Sequence, residues 1–505
     1  MPLTLPTTLY RTSLPNFASL TYVSWTIDVF LVSLAAFVLL CATRTTARRQ
    51  FTTTRLRGPH STSILTGVGG TLRKARDASV LYEEWAKTFG PVFSAPAGLW
   101  SSRIVLCDSR AAAHVYARDT AGYHRPQATR DEIAQAAGHN LLWAEGDVHK
   151  RHRRAMIPAF SNAAIRKLTP VFTDAGYKVK ESWEILIAES AEKETAVIEV
   201  QSCLDSIGIA GFSHDFGALS GARPPVTAFF DRLHERQIAE PSDTRDLLAL
   251  ILPWVSRLPH KDSNLGVEMN RSLGEATRPL LENTRKEKAG ESSGGGKEER
   301  SIIGLLIKSE GLSEGSEMHM SAEEMKLLIF AGHETTSVAL TWMLFRNLHN
   351  KNQSAQTKLR ESLSVFANSD PSYDQMTNGL PYLDAVITES LRLQAISSVS
   401  DFIRVAGEND IIPLSQPIRD AYGSLVNSIT VAKGTLISVS PAYMNRSSLI
   451  WGSGSREFHP ERWLDGDRLP TKAREIQGHR HILSFSDGQR ACLGKAFALA
   501  EVKVS

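Results

Sequence analysis

The sequence predicts a mainly α-helical fold with a small β-rich lobe, carried behind one N-terminal transmembrane helix. Three observations lead there. Ser321 to Asn350 is apolar nearly all round, over a length that suits a buried helix better than a strand. Runs with strand character, Pro91 to Ala95, Ile104 to Cys107 and Val426 to Ser440, are few and short. Trp25 to Ala42 is apolar except for Thr26, Asp28 and Ser33, and with Tyr22 and Val23 it is long enough to span a bilayer if slightly tilted.

Along the chain, 1–19 reads as a polar tail, 20–43 as the anchor, 44–60 as a basic linker and 61–505 as one folded domain. Asp28 would cost about 3 kcal/mol near mid-membrane, but it sits near the outer end of the span. Arg44, Arg48 and Arg49 follow the span, which predicts a cytoplasmic domain. The competing reading is a cleaved secretory signal. It is weakened because the charge follows the apolar run and no small-residue cleavage site is evident. Ser79 to Phe89 has helical spacing, with Leu81, Trp85 and Phe89 on one face. Asp108 or Ser109 can cap a helix through Arg118. Helical patterns dominate from Asp147 to about Leu281. Arg285 to Arg300, with Gly294, Gly295 and Gly296 among charges, reads as a surface loop.

Composition excludes some classes. A net charge of +3 on 505 residues implies no general affinity for nucleic acid. The four cysteines, Cys41, Cys107, Cys203 and Cys492, have no paired spacing, so neither a disulfide framework nor a zinc site is indicated. A reducing compartment fits that usage.

The richest segment is Phe485-Ser486-Asp487-Gly488-Gln489-Arg490-Ala491-Cys492-Leu493-Gly494, followed by a helical run from Leu493 to Val504. One cysteine stands between two glycines, with an arginine two residues before it. The glycines would let the backbone pass close to a flat cofactor. A helix N-terminus and free amides would favour negative charge on sulfur and lower the thiol pKa. Arg490 can meet an anionic cofactor edge, and Phe485 can shield the sulfur. A buried structural cysteine is the plainer alternative. The pattern favours a metal-bound thiolate, with haem as the cofactor whose iron takes one.

That Phe-x-x-Gly-x-Arg-x-Cys-x-Gly run resembles the haem-binding signature of the cytochrome P450 monooxygenases, and the resemblance extends from about Leu56 to the end of the chain. It implies the P450 fold, haem b held by Cys492, and NADPH-derived electrons delivered by a flavoprotein reductase. It also implies endoplasmic reticulum residence and insertion of one oxygen atom of O2 into an apolar substrate such as a lipid or terpenoid. Ala331-Gly332-His333-Glu334-Thr335-Thr336 resembles the family's oxygen-activating motif. There Glu334 and Thr335 would deliver protons, with Thr335 bonding a carbonyl one turn back. Glycine inside a helix costs about 1 kcal/mol relative to alanine, which suggests that something large approaches Gly332. Glu389-Ser390-Leu391-Arg392 and Pro460-Glu461-Arg462 resemble the family's structural ion network of Glu389, Arg392 and Arg462. His149 and Arg153 are the candidates for the haem propionates, with Lys150, Arg151 and Arg154 left to face an acidic electron donor. The resemblance also implies a strand hairpin after the last helix, which the sequence to Ser505 does not contain. An inactive haem binder and a thiolate-haem isomerase or dehydratase are the alternatives. The retained Glu334–Thr335 pair favours the monooxygenase.

Overall fold

Helices make most of the described structure because most of its apolar spacing has the helical period, and short strands gather in two small sheets. The computed structural model describes residues 52–63, 66–98, 101–189, 202–218, 226, 263–288, 301–304, 321–348, 352–367, 369–394 and 401–504. The tail 1–19 and the anchor 20–43 lie outside them, as do residues 44–51 of the linker and 289–300 of the Arg285 to Arg300 loop. Among the described residues no helix is long and apolar enough to cross a membrane. The chain divides at Thr54, and the fold described here is that of Arg55–Ser505.

The longer elements are numbered in chain order. Helix α1 (Ala78–Phe89) starts where the Asp77 carboxylate accepts the Ser79 N–H at 3.0 Å. Its buried face centres on Tyr82 and Ala86, with Trp85 and Phe89 at the margin, one position round from the expected stripe. Strands β1 (Val92–Gly98) and β2 (Ser101–Leu106) form an antiparallel hairpin. Helix α2 (Ser109–Ala117) is capped by Asp108, which accepts from Ala111 N at 2.9 Å. Strand β3 (Tyr123–His124), α3 (Gln127–Ala137), α4 (Gly146–Met156), α5 (Asn162–Glu189), α6 (Ser202–Phe212), α7 (Ser263–Lys288) and α8 (Ala322–Leu348) follow. After α9 (Gln353–Leu363) and α10 (Pro381–Leu393) come β4 (Phe402–Ala406), β5 (Asp410–Arg419), β6 (Leu425–Val431) and β7 (Leu436–Val439). Then come α11 (Pro441–Arg446) and α12 (Lys495–Val504), so the last helix begins two residues later than its sequence pattern starts.

The larger sheet has the order β1-β2-β7-β4-β3, and β5 pairs only with β6. Strand β7 is the centre. It runs parallel to β2, with Ile104 opposite Ile437, and antiparallel to β4, with Phe402 opposite Val439. Buried on both faces, its Ile437, Ser438 and Val439 suit a central strand.

Helix α8 joins two hydrophobic cores. Met325, Leu328 and Ile329 belong to one, and Ala339, Leu340 and Met343 to the other. The expectation of burial all round is corrected at Ala331, Thr341 and Phe345, which are exposed. Helix α12 packs on α5, where Phe172 and Phe497 meet edge to face at 4.9 Å, and also on α8.

Candidate functional site: the cysteine loop and its arginine cluster

The segment before α12 is a tight loop. Cys492 N donates to the Phe485 carbonyl at 2.9 Å, and a single 3-10 turn, Gly488–Arg490, fills the space between. Ser486 and Gly488 both have positive φ, 59° and 66°. At Gly488 a Cβ would also stand 2.1 Å from the Tyr116 carbonyl oxygen, so the loop lies directly on the end of α2. This corrects the sequence argument, because the close approach that needs this glycine is protein on protein. Phe485 is buried, with His479 edge-on at 5.8 Å. Gln489 bonds the Ala117 carbonyl at 3.2 Å and accepts the Thr120 hydroxyl at 2.9 Å. Cys492 itself is exposed.

Cys492 keeps an open face, yet the protein packed round its sulfur disfavours the thiolate and raises the thiol pKa, and the Gly494 N–H with the charges of Arg153 and Lys495 pulls it partly back. The sequence expectation of a lowered pKa is corrected, because desolvation of the thiolate outweighs those favourable groups. Coordination to a metal removes the proton outright.

Beside the loop lies a cluster that the sequence only partly disclosed. Helix α4 supplies His149, which is buried, and Arg153 one turn on. The cysteine loop supplies Arg490. It donates to the Ala144 carbonyl at 2.5 Å, reaches the Glu145 carboxylate at 2.7 Å and has Nε 3.5 Å from Asp119. Strand β4 supplies Arg404, which holds Asp119 by two bonds of 2.8 and 3.0 Å. Arg125 follows β3, and its backbone N–H donates to Glu145 at 3.0 Å. Burial, then the charges on Arg404 and Arg490, lowers the Arg125 guanidinium to about 9. Burial, then Arg490 and Arg153, lowers His149 to about 4. Burial likewise lowers Arg153 and Arg490.

The cluster therefore holds four guanidinium groups, of Arg125, Arg153, Arg404 and Arg490, and two carboxylates, Asp119 and Glu145, a surplus of two positive charges. The buried Nε atoms of Arg125 and Arg490 have no hydrogen-bond acceptor among the described residues. A planar group with two carboxylate arms, and a metal that accepts the neighbouring thiolate, matches this donor set in charge and in kind.

Helix α8 contributes the other chemistry. Glu334 is buried, and the Thr335 hydroxyl donates to the Ala331 carbonyl at 2.8 Å. A Cβ on Gly332 would come within 2.6 Å of Ile207 Cγ1, so this glycine admits helix α6. The large neighbour expected at Gly332 is thus a packed helix. His333 is buried.

Comparison with known proteins agrees with this donor set. The family model described as Cytochrome P450 matches residues 59–505. The chain belongs to the cytochrome P450 family. It is 43% identical to the cytochrome P450 monooxygenase claW of Ampulloclitocybe clavipes, over 94% of this chain and 88% of that one. The monooxygenase claO of the same fungus is 46% identical over 90% of this chain and 85% of its own. A ganoderic acid synthetase of Ganoderma lucidum is 29% identical over 85% and 82%. This P450 is thus a monooxygenase by family, which implies a haem-thiolate cofactor.

Behind the cysteine loop of the P450, Glu389 receives Arg392 twice at 2.8 Å, Arg462 Nε at 3.1 Å, Trp463 Nε1 at 2.9 Å and His459 N at 3.0 Å. Arg392 also donates to the Asn445 and Ser455 carbonyls at 2.8 and 2.6 Å. The structure thus brings Glu389, Arg392 and Arg462 into one buried network, and His149, Arg153 and Arg490 into another. Arg125, Arg404, Asp119, Glu145 and Gln489 were missed from sequence. One signal was available, since strand β4 alternates and Arg404 occupies an inward position between Phe402 and Ala406.

Proposed function

We propose that this P450 holds haem b through Cys492 and inserts one oxygen atom of O2 into an apolar natural product or lipid, drawing NADPH-derived electrons through a flavoprotein reductase. The observation that carries the reading is the pairing of an exposed cysteine thiol with an arginine cluster two charges in excess. Bound haem supplies the activation of O2.

The chain's own residues divide the remaining work. Arg125, His149, Arg153, Arg404 and Arg490 take the two carboxylate arms. Phe485, whose carbonyl accepts the Cys492 N–H, would help shield the sulfur from water. The buried Glu334 carboxylate would pass protons inward from water. Thr335 commits its hydroxyl hydrogen to Ala331, so its oxygen remains able to accept a bond from water. Lys150, Arg151 and Arg154 are exposed on the outer face of α4 and suit an acidic reductase. The likeness to a ganoderic acid synthetase supports the natural-product part of the reading. The apolar segment 20–43 supports a single-pass anchor in the endoplasmic reticulum membrane with the domain in the cytoplasm.

The reduced, carbon-monoxide difference spectrum tests the ligand. A strongly red-shifted Soret band is expected from the native chain and is lost in Cys492→Ala. The same band in the alanine variant rejects Cys492. Turnover that needs both NADPH and reductase tests the reaction. Conversion of a peroxide substrate without either would point to an isomerase instead.

A further inference from the structure

Asp119 is a fully buried carboxylate that the oxygen chemistry does not use. It sits in the turn between α2 and β3, far in sequence from every group it touches on the other side. Both its oxygens are held by Arg404, Nε at 2.8 Å and Nη2 at 3.0 Å, in a bidentate fork. Its second oxygen also stands 3.5 Å from Arg490 Nε, and its first accepts the Thr120 amide at 3.0 Å. Arg404 and Arg490 are themselves almost wholly buried, with 4% and 5% of their side chains exposed.

The turn is built around this carboxylate. Thr120 is buried and takes φ of 77°, a left-handed conformation that a β-branched residue adopts at a cost of about 1–2 kcal/mol. That conformation is fixed from the cysteine loop by the Thr120–Gln489 bond, and from α4 by the Gly146 N–H on the Thr120 carbonyl at 3.1 Å. Without the carboxylate, two buried guanidinium groups would face one another with one fewer counter-charge.

We propose that Asp119 is a positioning residue for the cofactor, orienting Arg404 and Arg490 toward its carboxylate arms and setting the net charge at that edge. This rests on the haem reading above. Arg404 comes from the β lobe and Arg490 from the cysteine loop, so Asp119 also fixes one part of the cradle against the other. A residue that merely filled space would leave haem release unchanged when replaced by its isosteric amide.

The test uses the holoenzyme and the variants Asp119→Asn, Arg404→Gln and their double. Haem transfer to excess apomyoglobin and the ferric–ferrous midpoint potential are measured. D119N is expected to lose haem at least roughly tenfold faster, as befits a lost charged hydrogen-bond pair. Its potential is expected to rise, because a negative charge beside the cofactor has gone. Adding D119N to R404Q is expected to accelerate release little further. Wild-type release and potential in D119N overturn the proposal, as do effects on release that add in full. Should D119N not accumulate folded, Arg404→Lys replaces it. It keeps the charge and loses the fork, so faster release at unchanged potential is required and wild-type release overturns the idea. If the native chain itself takes up no haem, the parent reading fails. If the native chain and D119N retain it equally, only this inference fails.

Discussion

Glu389 and Arg392, one turn apart on α10, close a two-bond ion pair in which neither side chain is exposed to solvent, 0% for both. Arg392 also lies over the Trp451 ring at 4.9 Å. Removing one member of such a network leaves the others charged, buried and unpaired. Glu389→Ala is therefore expected to destabilise the fold by about 3–5 kcal/mol, read as a fall in the urea midpoint. An unchanged midpoint would show that the network carries no stability. Burial raises the Glu389 carboxyl, but Arg392 and Arg462 more than offset it and the net shift is downward. A lowered carboxylate contributes stability that is full above its unfolded pKa of about 4.3 and is lost as pH falls through the folded value. The wild-type protein should lose stability on acidification below about pH 4.3 more steeply than Glu389→Gln.

His149 gives a second pH signature, at higher pH. Burial and the neighbouring arginines hold its pKa near about 4, below the unfolded value. Folding therefore favours the neutral ring. The contribution is complete above about pH 6.5 and declines as pH falls toward the folded value. The thermal unfolding midpoint of the haem-free wild type should drop between about pH 6.5 and 5, whereas bound carboxylate arms would raise the His149 pKa again. His149→Gln should be flatter across that window. Parallel curves for the two would place the titration elsewhere.

Gly332 packs against Ile207 so closely that no side chain fits between α8 and α6. Gly332→Ala is expected to cost about 1–3 kcal/mol through overpacking. Ile207→Ala in the same chain should recover part of that loss, because it removes the atoms that the new methyl meets. Independent, additive effects in chemical denaturation would contradict the contact.

Gly488 needs both a positive φ and the absence of a Cβ, 2.1 Å being the clearance to the Tyr116 carbonyl. Gly488→Ala should therefore disturb the cysteine loop before the rest of the fold. The expected result is a marked fall in bound haem per chain with near-native helix content by circular dichroism. Full haem content would show that the loop can move away from α2 at little cost.

Much of this was legible because local rules dominate at the sites concerned. Asp108 caps α2 as an N-terminal carboxylate should, and α8 follows its apolar run to within two residues at each end. Glu389, Arg392 and Arg462 could be grouped because their motif resembles a known network, although spacing alone gives only an ordinary i,i+3 pair. The hidden residues share a different character. Asp119, Arg125 and Glu145 lie in turns, where no periodicity points inward, and their partners are distant in sequence. Gly332 and Gly488 were flagged correctly as sites of close approach. What approaches, Ile207 in one case and the Tyr116 backbone in the other, depends on tertiary packing that a one-dimensional pattern does not encode.

The pairing of Thr120 with Gln489 spans 369 positions of chain. At translation rates of about 5–20 residues per second, the first partner waits tens of seconds for the second to be made. The parallel contact of β2 with β7 imposes the same delay on the central sheet. The arginine cradle is thus a post-translational structure, and loop-closure entropy over such spans makes its assembly a late step. Until then the β2 edge that β7 will cover stays open on the nascent chain.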